Sequence, residues 1–240
     1  MNGSPASNPP GFFTGMALLG LSVVLAGFSR TYFAPVAAGT FDAPLVVHVH
    51  GAAAFAWVLL FGLQTTLIWT GRYDIHVRTG VLGVFIAMVV AGTAVPVGLY
   101  VVERDLAAGL GPLAVSSLLG VVTAISLFLV LVAAGVACRD RPAVHKRLML
   151  LATIVVLWPA WFRLRHWFPD VPKPEIWFGV VAAYSLVPIA MIRDRFVEGR
   201  VHPVWWWVGL PVVGEQTAEA FLFDSSPWRA VASGLHSMLT

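Results

Sequence analysis

Residues 45–64 read LVVHVHGAAAFAWVLLFGLQ, a segment that opens with two histidines and is otherwise apolar up to Gln64. About 20 apolar residues suffice for an α-helix to cross the hydrocarbon core of a bilayer. Ionisable side chains inside such a helix are costly, so they usually face other helices and a polar partner. The segment therefore predicts a membrane-spanning helix with His48 and His50 near one end and Gln64 deeper in the membrane.

The rest of the chain has the same character. Only 11% of its residues are charged, against roughly a quarter in soluble domains. Charged or Pro/Gly-rich stretches divide it into seven apolar segments, and this pattern predicts an all-α integral membrane bundle of seven transmembrane helices. The count falls to six if the last segment, which holds Glu215 and Glu219, ends early. The segments span residues 11–28, 44–69, 79–102, 112–137, 148–162, 176–192 and 204–222.

Three regions are expected along the chain. Residues 1–10 are predicted to form a disordered tail, and residues 11–222 a single transmembrane bundle. Residues 223–240 are predicted to form a short interfacial helix, because Trp228 and Arg229 stand at its start. The lipid bilayer is thus the first expected partner.

Composition excludes several functions. The single cysteine, Cys138, excludes an internal disulfide and any cysteine-built metal or iron–sulfur site. No basic stripe is interleaved with aromatic residues in a soluble segment, so nucleic-acid binding is not expected. Nine of the 15 lysines and arginines follow segments two, four and six, which favours the cytoplasmic side for those loops.

With that orientation the ionisable residues fall into two layers. His48, His50, Arg163 and His166 lie at the outer end, and His76, His145 and Arg147 at the inner end. On segment two, His50 shares a helical face with Gln64, whereas His48 lies about 200° around the helix from His50. On segment five, His145 and Arg163 share a face about 27 Å apart.

These residues also form a recognisable pattern: His50-Gly51, Gln64, Gly71-Arg72, His76-x-Arg78-x-Gly80, His145-Lys146-Arg147-x-Met149 and Arg163. The pattern resembles a family of uncharacterised bacterial membrane proteins, domain of unknown function 2306. The resemblance covers residues 45–163 and implies an inward-facing set of these side chains in a bacterial inner membrane. The chain departs from the family pattern in two places: Val77 stands before Arg78, and His48 is additional.

A fainter similarity is to b-type cytochromes of the b561 kind, which place imidazoles at two membrane levels on neighbouring helices. His76 and His145 fit the inner pair of that arrangement. The outer pair is incomplete, because segment four has no histidine and His166 would have to partner His48 or His50.

Three hypotheses about function follow. The first is a redox protein with haem b between two imidazoles, its propionates paired with Arg30, Arg147 or Arg163. The second is a membrane enzyme or carrier with a non-haem Cu, Fe or Zn site built from histidines such as His48, His50 and His166. The third involves no metal or haem. The chain would then be a subunit of a complex with other membrane proteins, a transporter, or a protein that binds quinone or lipid, with Gln64 lining the cavity.

Overall fold

The computed structural model describes residues 11–240, and throughout this range the regular structure is helical, with no strand. The predicted tail, residues 1–10, lies outside the described residues. Six helices in this range are long and apolar enough to cross a membrane, which suggests a multi-pass membrane protein. They are α1 Gly11–Ala37, α2 Leu45–Trp69, α3 Tyr73–Ala107, α4 Pro112–Ala137, α5 Pro142–His166 and α6 Pro174–Val197.

The seventh predicted span is a helix but is not one of these six. It is α7, made of a π-helical stretch, Trp205–Gly209, and the α-helix Leu210–Leu222. Glu215 is exposed and Glu219 is half-buried, whereas Gln216 between them is buried and accepts a hydrogen bond from the hydroxyl of Tyr184 at 2.8 Å. One face of α7 therefore packs against the bundle. The two glutamates lower the mean hydropathy of the helix, and α7 is not among the six apolar helices.

The last helix, α8, spans Ser226–Leu239 and packs on α4. Trp228 Nε1 donates to the backbone carbonyl of Ser116 at 2.9 Å, and the hydroxyl of Ser116 donates to Asp224 at 2.8 Å. The segment predicted to lie at the interface is therefore helical and attached to one end of α4.

Helix α5 lies at the centre of the bundle, where it packs against α1, α4 and α6. Its side chains are buried on all sides in mid-helix; among them Leu150, Leu151, Ala152, Ile154 and Leu157 are at most 2% exposed. A helix that is apolar all round is one that other helices surround. Because α5 runs the length of the bundle, its two termini define the "His76 end", with His76 and His145, and the "Arg163 end", with His48, His50 and Arg163.

Helices α1 and α5 are in close contact near the Arg163 end. A Cβ atom placed on Gly27 would lie 2.2 Å from the backbone oxygen of Ala160. Backbone cannot move aside as a flexible side chain can, so only glycine permits this contact.

We therefore expect Gly27→Ala to separate α1 from α5 and to lower the melting temperature by several degrees, an overpacking cost of about 1–3 kcal/mol. Gly92→Ala in α3 is the matched control, because a Cβ there meets no atom within 4 Å. Thermal unfolding of both variants in the same detergent checks this. Equal melting temperatures for the two variants would contradict the close packing of α1 on α5.

Candidate functional site

The two histidines predicted to form an inner pair face each other at the His76 end. His76 lies in the first turn of α3 and His145 in the first turn of α5. Their ring centroids are 6.3 Å apart and the ring planes are nearly perpendicular, at 87°. Both side chains are half-buried. Two imidazoles from helices that are not adjacent in sequence thus share one small region.

A backbone carbonyl fixes the ring of His145. Nδ1 of His145 lies 2.8 Å from the carbonyl oxygen of Gly135 in α4. A carbonyl oxygen accepts only, so this contact assigns the proton of the neutral ring to Nδ1 and leaves Nε2 with a free lone pair. The same arrangement, with Nδ1–H on a carbonyl, orients imidazoles that ligate metals.

Gln64 of α2 fixes the ring of His76. Oriented so that both ends of its amide are satisfied, its oxygen accepts from Gly80 N and Thr79 Oγ1, each at 3.0 Å. Its nitrogen then donates to the backbone carbonyl of His76 at 3.2 Å and to Nδ1 of the His76 ring. The three residues His76, His145 and Gln64 therefore belong to one polar site between α2, α3 and α5.

Arg147 also lies at the His76 end, but its guanidinium group is paired with two carboxylates of the chain. The side chain is completely buried, with Nε 2.7 Å from Asp194 Oδ2 and Nη2 2.6 Å from Glu198 Oε2. The indole of Trp205 donates to the same oxygen of Asp194 at 2.7 Å. Arg147 therefore joins α5 to α6 and α7 and is not free to pair with a haem propionate.

Two further cations complete this network. Arg193 lies 3.0 Å from Asp194 and 2.9 Å from Glu198, and Lys146 lies 3.1 Å from Glu198. Four members of this network are not among the site residues predicted from the sequence: Asp194, Glu198, Arg193 and Trp205. The available signal was two acids four residues apart at the end of a membrane span, a spacing that places both on one helical face.

The histidines at the Arg163 end do not converge. Nδ1 of His48 lies 2.8 Å from the hydroxyl of Tyr32, whereas Nδ1 of His50 lies 2.9 Å from Thr93 Oγ1 in α3. His166 is exposed, and its backbone carbonyl accepts a hydrogen bond from Arg30. Among the described residues no group of three His, Cys, Asp or Glu side chains is placed to hold a metal ion. His48, His50 and His166 therefore contact different residues and do not face one another.

Arg163, also half-buried, donates from Nη1 to the carbonyl of Pro159 at 3.1 Å and lies over the ring of Phe28. It is near enough to His50 for its charge to act on that ring. Gln64 and His50 both contact α3, but at opposite ends. The predicted residues therefore form two separate polar sites and not one.

Removal of the Arg147 guanidinium leaves Asp194 with one cation fewer in a buried site. We expect Arg147→Met to reduce the free energy of unfolding by about 3–5 kcal/mol. Lys146→Met is the control, because the Lys146 side chain is 23% exposed and its loss leaves Arg147 and Arg193 on Glu198. Chemical unfolding in detergent compares the two; an equal, small effect of both would contradict a structural role for Arg147.

Glu198 gives this network a pH dependence. Burial opposes ionisation of Glu198, but hydrogen bonds from Lys146 and Arg193 and the charge of Arg147 outweigh it and lower the pKa from 4.5 to about 2. A carboxyl with a lowered pKa in the folded state stabilises the fold above its unfolded pKa. That contribution is lost as pH falls through the folded value.

The Glu198→Gln variant is therefore expected to be less stable than the wild type at pH 7. The difference in melting temperature should shrink as the pH falls from 4.5 towards 2, the interval between the two pKa values. Melting curves of both proteins across this interval measure the difference. A constant difference at all pH values would show that ionised Glu198 contributes no stability.

Comparisons of this chain with protein-family models, with curated proteins and with solved structures found no match. The resemblance carried by the histidine and arginine motifs stays a prediction.

Proposed function

We propose that this chain is a redox protein of a bacterial inner membrane that holds one haem b between His76 and His145 and takes part in electron transfer. The observation that carries the proposal is the facing pair of rings, 6.3 Å between centroids. His76 and His145 would be the two side chains that hold the haem iron.

The number of donors favours haem over a non-haem metal. A porphyrin supplies four ligands itself, so a haem protein needs only two axial side chains. A non-haem Zn, Cu or Fe site takes three or four protein ligands. The described residues offer a pair of imidazoles at the His76 end and no group of three ligating side chains.

The hydrogen bonds that orient the rings of His76 and His145 are compatible with both residues holding a haem. His145 already has its proton on Nδ1, directed at Gly135, so Nε2 is available. For His76, ligation through Nε2 requires the proton on Nδ1, and a half-turn of the Gln64 amide would then present its oxygen to that N–H. The backbone groups that this turn releases, His76 C=O and Gly80 N–H, are four residues apart and pair with each other along α3.

When bound, haem would supply reversible one-electron chemistry. The chain would hold the two imidazoles, and the carbonyl of Gly135 would increase the basicity of His145. Arg147 is engaged by Asp194 and Glu198, so the propionates would pair with other cations of this end. Arg72 and Arg78 are exposed beside His76 and could serve.

The test is a visible spectrum of protein expressed with added haem precursor. The purified wild type should be red and should give a sharp band after reduction with dithionite, with one haem per chain. His76→Ala and His145→Ala should each lose the band, because each removes an axial ligand. His236→Ala, on α8, should retain it.

A colourless wild-type protein would overturn the haem proposal, and so would an unchanged band in His145→Ala. Metal analysis of the same preparation separates the remaining hypotheses. Stoichiometric Cu, Fe or Zn without haem would support the non-haem site instead.

A second candidate function is the binding of a quinone or another hydrophobic small molecule. A groove of about 460 Å³ runs between α3 and α4 near the His76 end. Ala87, Met88, Val132 and Val136 line its apolar part, and Arg139 lies at its rim. Colourless protein that carries extractable quinone, lost on Ala87→Trp, would support this function over haem binding.

A further inference from the structure

Three arginines gather at the Arg163 end, and we call Arg30, Arg163 and Arg165 the arginine cluster. Arg30 lies in the π-helical turn of α1, Ser29–Phe33, and the other two lie at the end of α5. Nη1 of Arg30 donates to the carbonyl of His166 at 2.8 Å. This hydrogen bond joins the two segments, so the cluster is part of the packed structure and not a set of unrelated surface side chains.

Aromatic rings hold each guanidinium in place. The guanidinium carbon lies 4.1 Å from the ring of Trp167 in Arg30, 4.4 Å from Phe28 in Arg163 and 3.9 Å from Phe162 in Arg165. Trp167 is itself tied to α1, since its indole donates to the carbonyl of Ala26 at 3.0 Å. A contact with a ring face stabilises a cation without consuming its N–H donors.

Hydrogen bonding within the chain leaves most of these donors unused. Arg30, Arg163 and Arg165 each donate one hydrogen bond to a backbone carbonyl in the described part of the chain. An arginine has five N–H donors in a fixed planar arrangement. The cluster therefore presents several donors that only solvent or a ligand can satisfy.

The cluster also lacks compensating negative charge. In residues 11–240, no carboxylate oxygen lies within 4 Å of a guanidinium nitrogen of the three. Arg104, Arg147, Arg193 and Arg229 all have such a partner. Arg163 and Arg165 are thus two half-buried like charges only two residues apart in sequence, an arrangement that an anion would stabilise.

The same two segments also carry two buried hydrogen-bond donors without a partner in the described part of the chain. Thr31 Oγ1, next to Arg30, and Trp161 Nε1, on the last two turns of α5, have no hydrogen-bond partner among the described residues. Buried donors normally have partners. Unsatisfied donors and uncompensated cations therefore occur together on α1 and α5 at this end of the bundle.

We propose that the arginine cluster binds a phosphate group. Guanidinium groups bind phosphate through paired N–H donors, and arginine is the residue most suited to this geometry. The cluster lies at the end of the spans, where lipid headgroups meet water, and exposed Trp167 and Phe168 lie beside it. The phosphate belongs either to an anionic lipid headgroup or to a soluble phosphate compound.

The test uses the full-length protein in nanodiscs, which consist of phosphatidylcholine alone in the first arm and also contain phosphatidylglycerol in the second. In one arm inorganic phosphate is titrated and the melting temperature is followed. In the other arm, nanodiscs that contain phosphatidylglycerol are dissolved and the retained lipid is counted by native mass spectrometry. Wild-type protein should respond in at least one arm, and Arg163→Gln/Arg165→Gln should weaken that response at least about tenfold, since each charge-assisted pair is strong.

Arg104→Gln is the matched control, because Arg104 lies at the same end but already pairs with Asp105 at 2.7 Å. A response to phosphatidylglycerol alone identifies a headgroup, and a response to inorganic phosphate identifies a soluble ligand. No response in either arm, or equal losses in the control and the double variant, would overturn the proposal. If the double variant aggregates, half-buried Arg165→Gln alone serves the same comparison.

This proposal is independent of the haem site. His145→Ala should keep the phosphate or lipid response in full, since His145 lies at the other end of α5. Loss of the response in His145→Ala would show that the variant disturbs the whole bundle and that the two ends are not separate sites.

Discussion

The buried charge of Arg147 is the constraint on which the His76 end of the molecule depends. Its side chain is completely shielded from solvent, and an unpaired charge in that position would cost several kcal/mol. Asp194 and Glu198 must therefore lie against it, which fixes α6 on α5, and the indole of Trp205 brings the start of α7 to the same carboxylate. The first turn of α5, including His145, is positioned by this network.

The two ends of the bundle handle positive charge differently. At the His76 end Lys146, Arg147 and Arg193 share the carboxylates of Asp194 and Glu198, so each of these three cations has an acidic partner within the chain. At the Arg163 end the three guanidinium groups of the arginine cluster rest on aromatic rings and backbone carbonyls, with no carboxylate partner among the described residues. The first arrangement pairs each of its cations with a carboxylate of the chain, whereas the arginine cluster leaves positive charge and N–H donors for a ligand or solvent.

Sequence patterns predict part of this architecture. The lengths of the apolar segments predict the six spans. The helical period predicts that His145 and Arg163 lie at opposite ends of one face of a helix. Periodicity within one segment does not say which segments adjoin, so the contact of Arg147 with Asp194, 47 residues away, depended on packing. Arg193 and Asp194 follow the predicted span 176–192 directly, so the sequence pattern alone places them in a loop. Gln64 was predicted to be inward-facing, but only the register of α2 against α3 places it on His76.

The spacing of polar sites along α5 limits what a redox protein of this design could do. His145 and Arg163 are about 27 Å apart along the helix, and the core between them is built of buried apolar side chains. At the Arg163 end His50 contacts Thr93, and His48 contacts Tyr32, so no second facing pair of imidazoles is present in the described residues. A single haem at the His76 end would therefore exchange electrons on one side of the membrane or with a carrier within the bilayer. Electron transfer across the whole membrane would require a second centre from another protein.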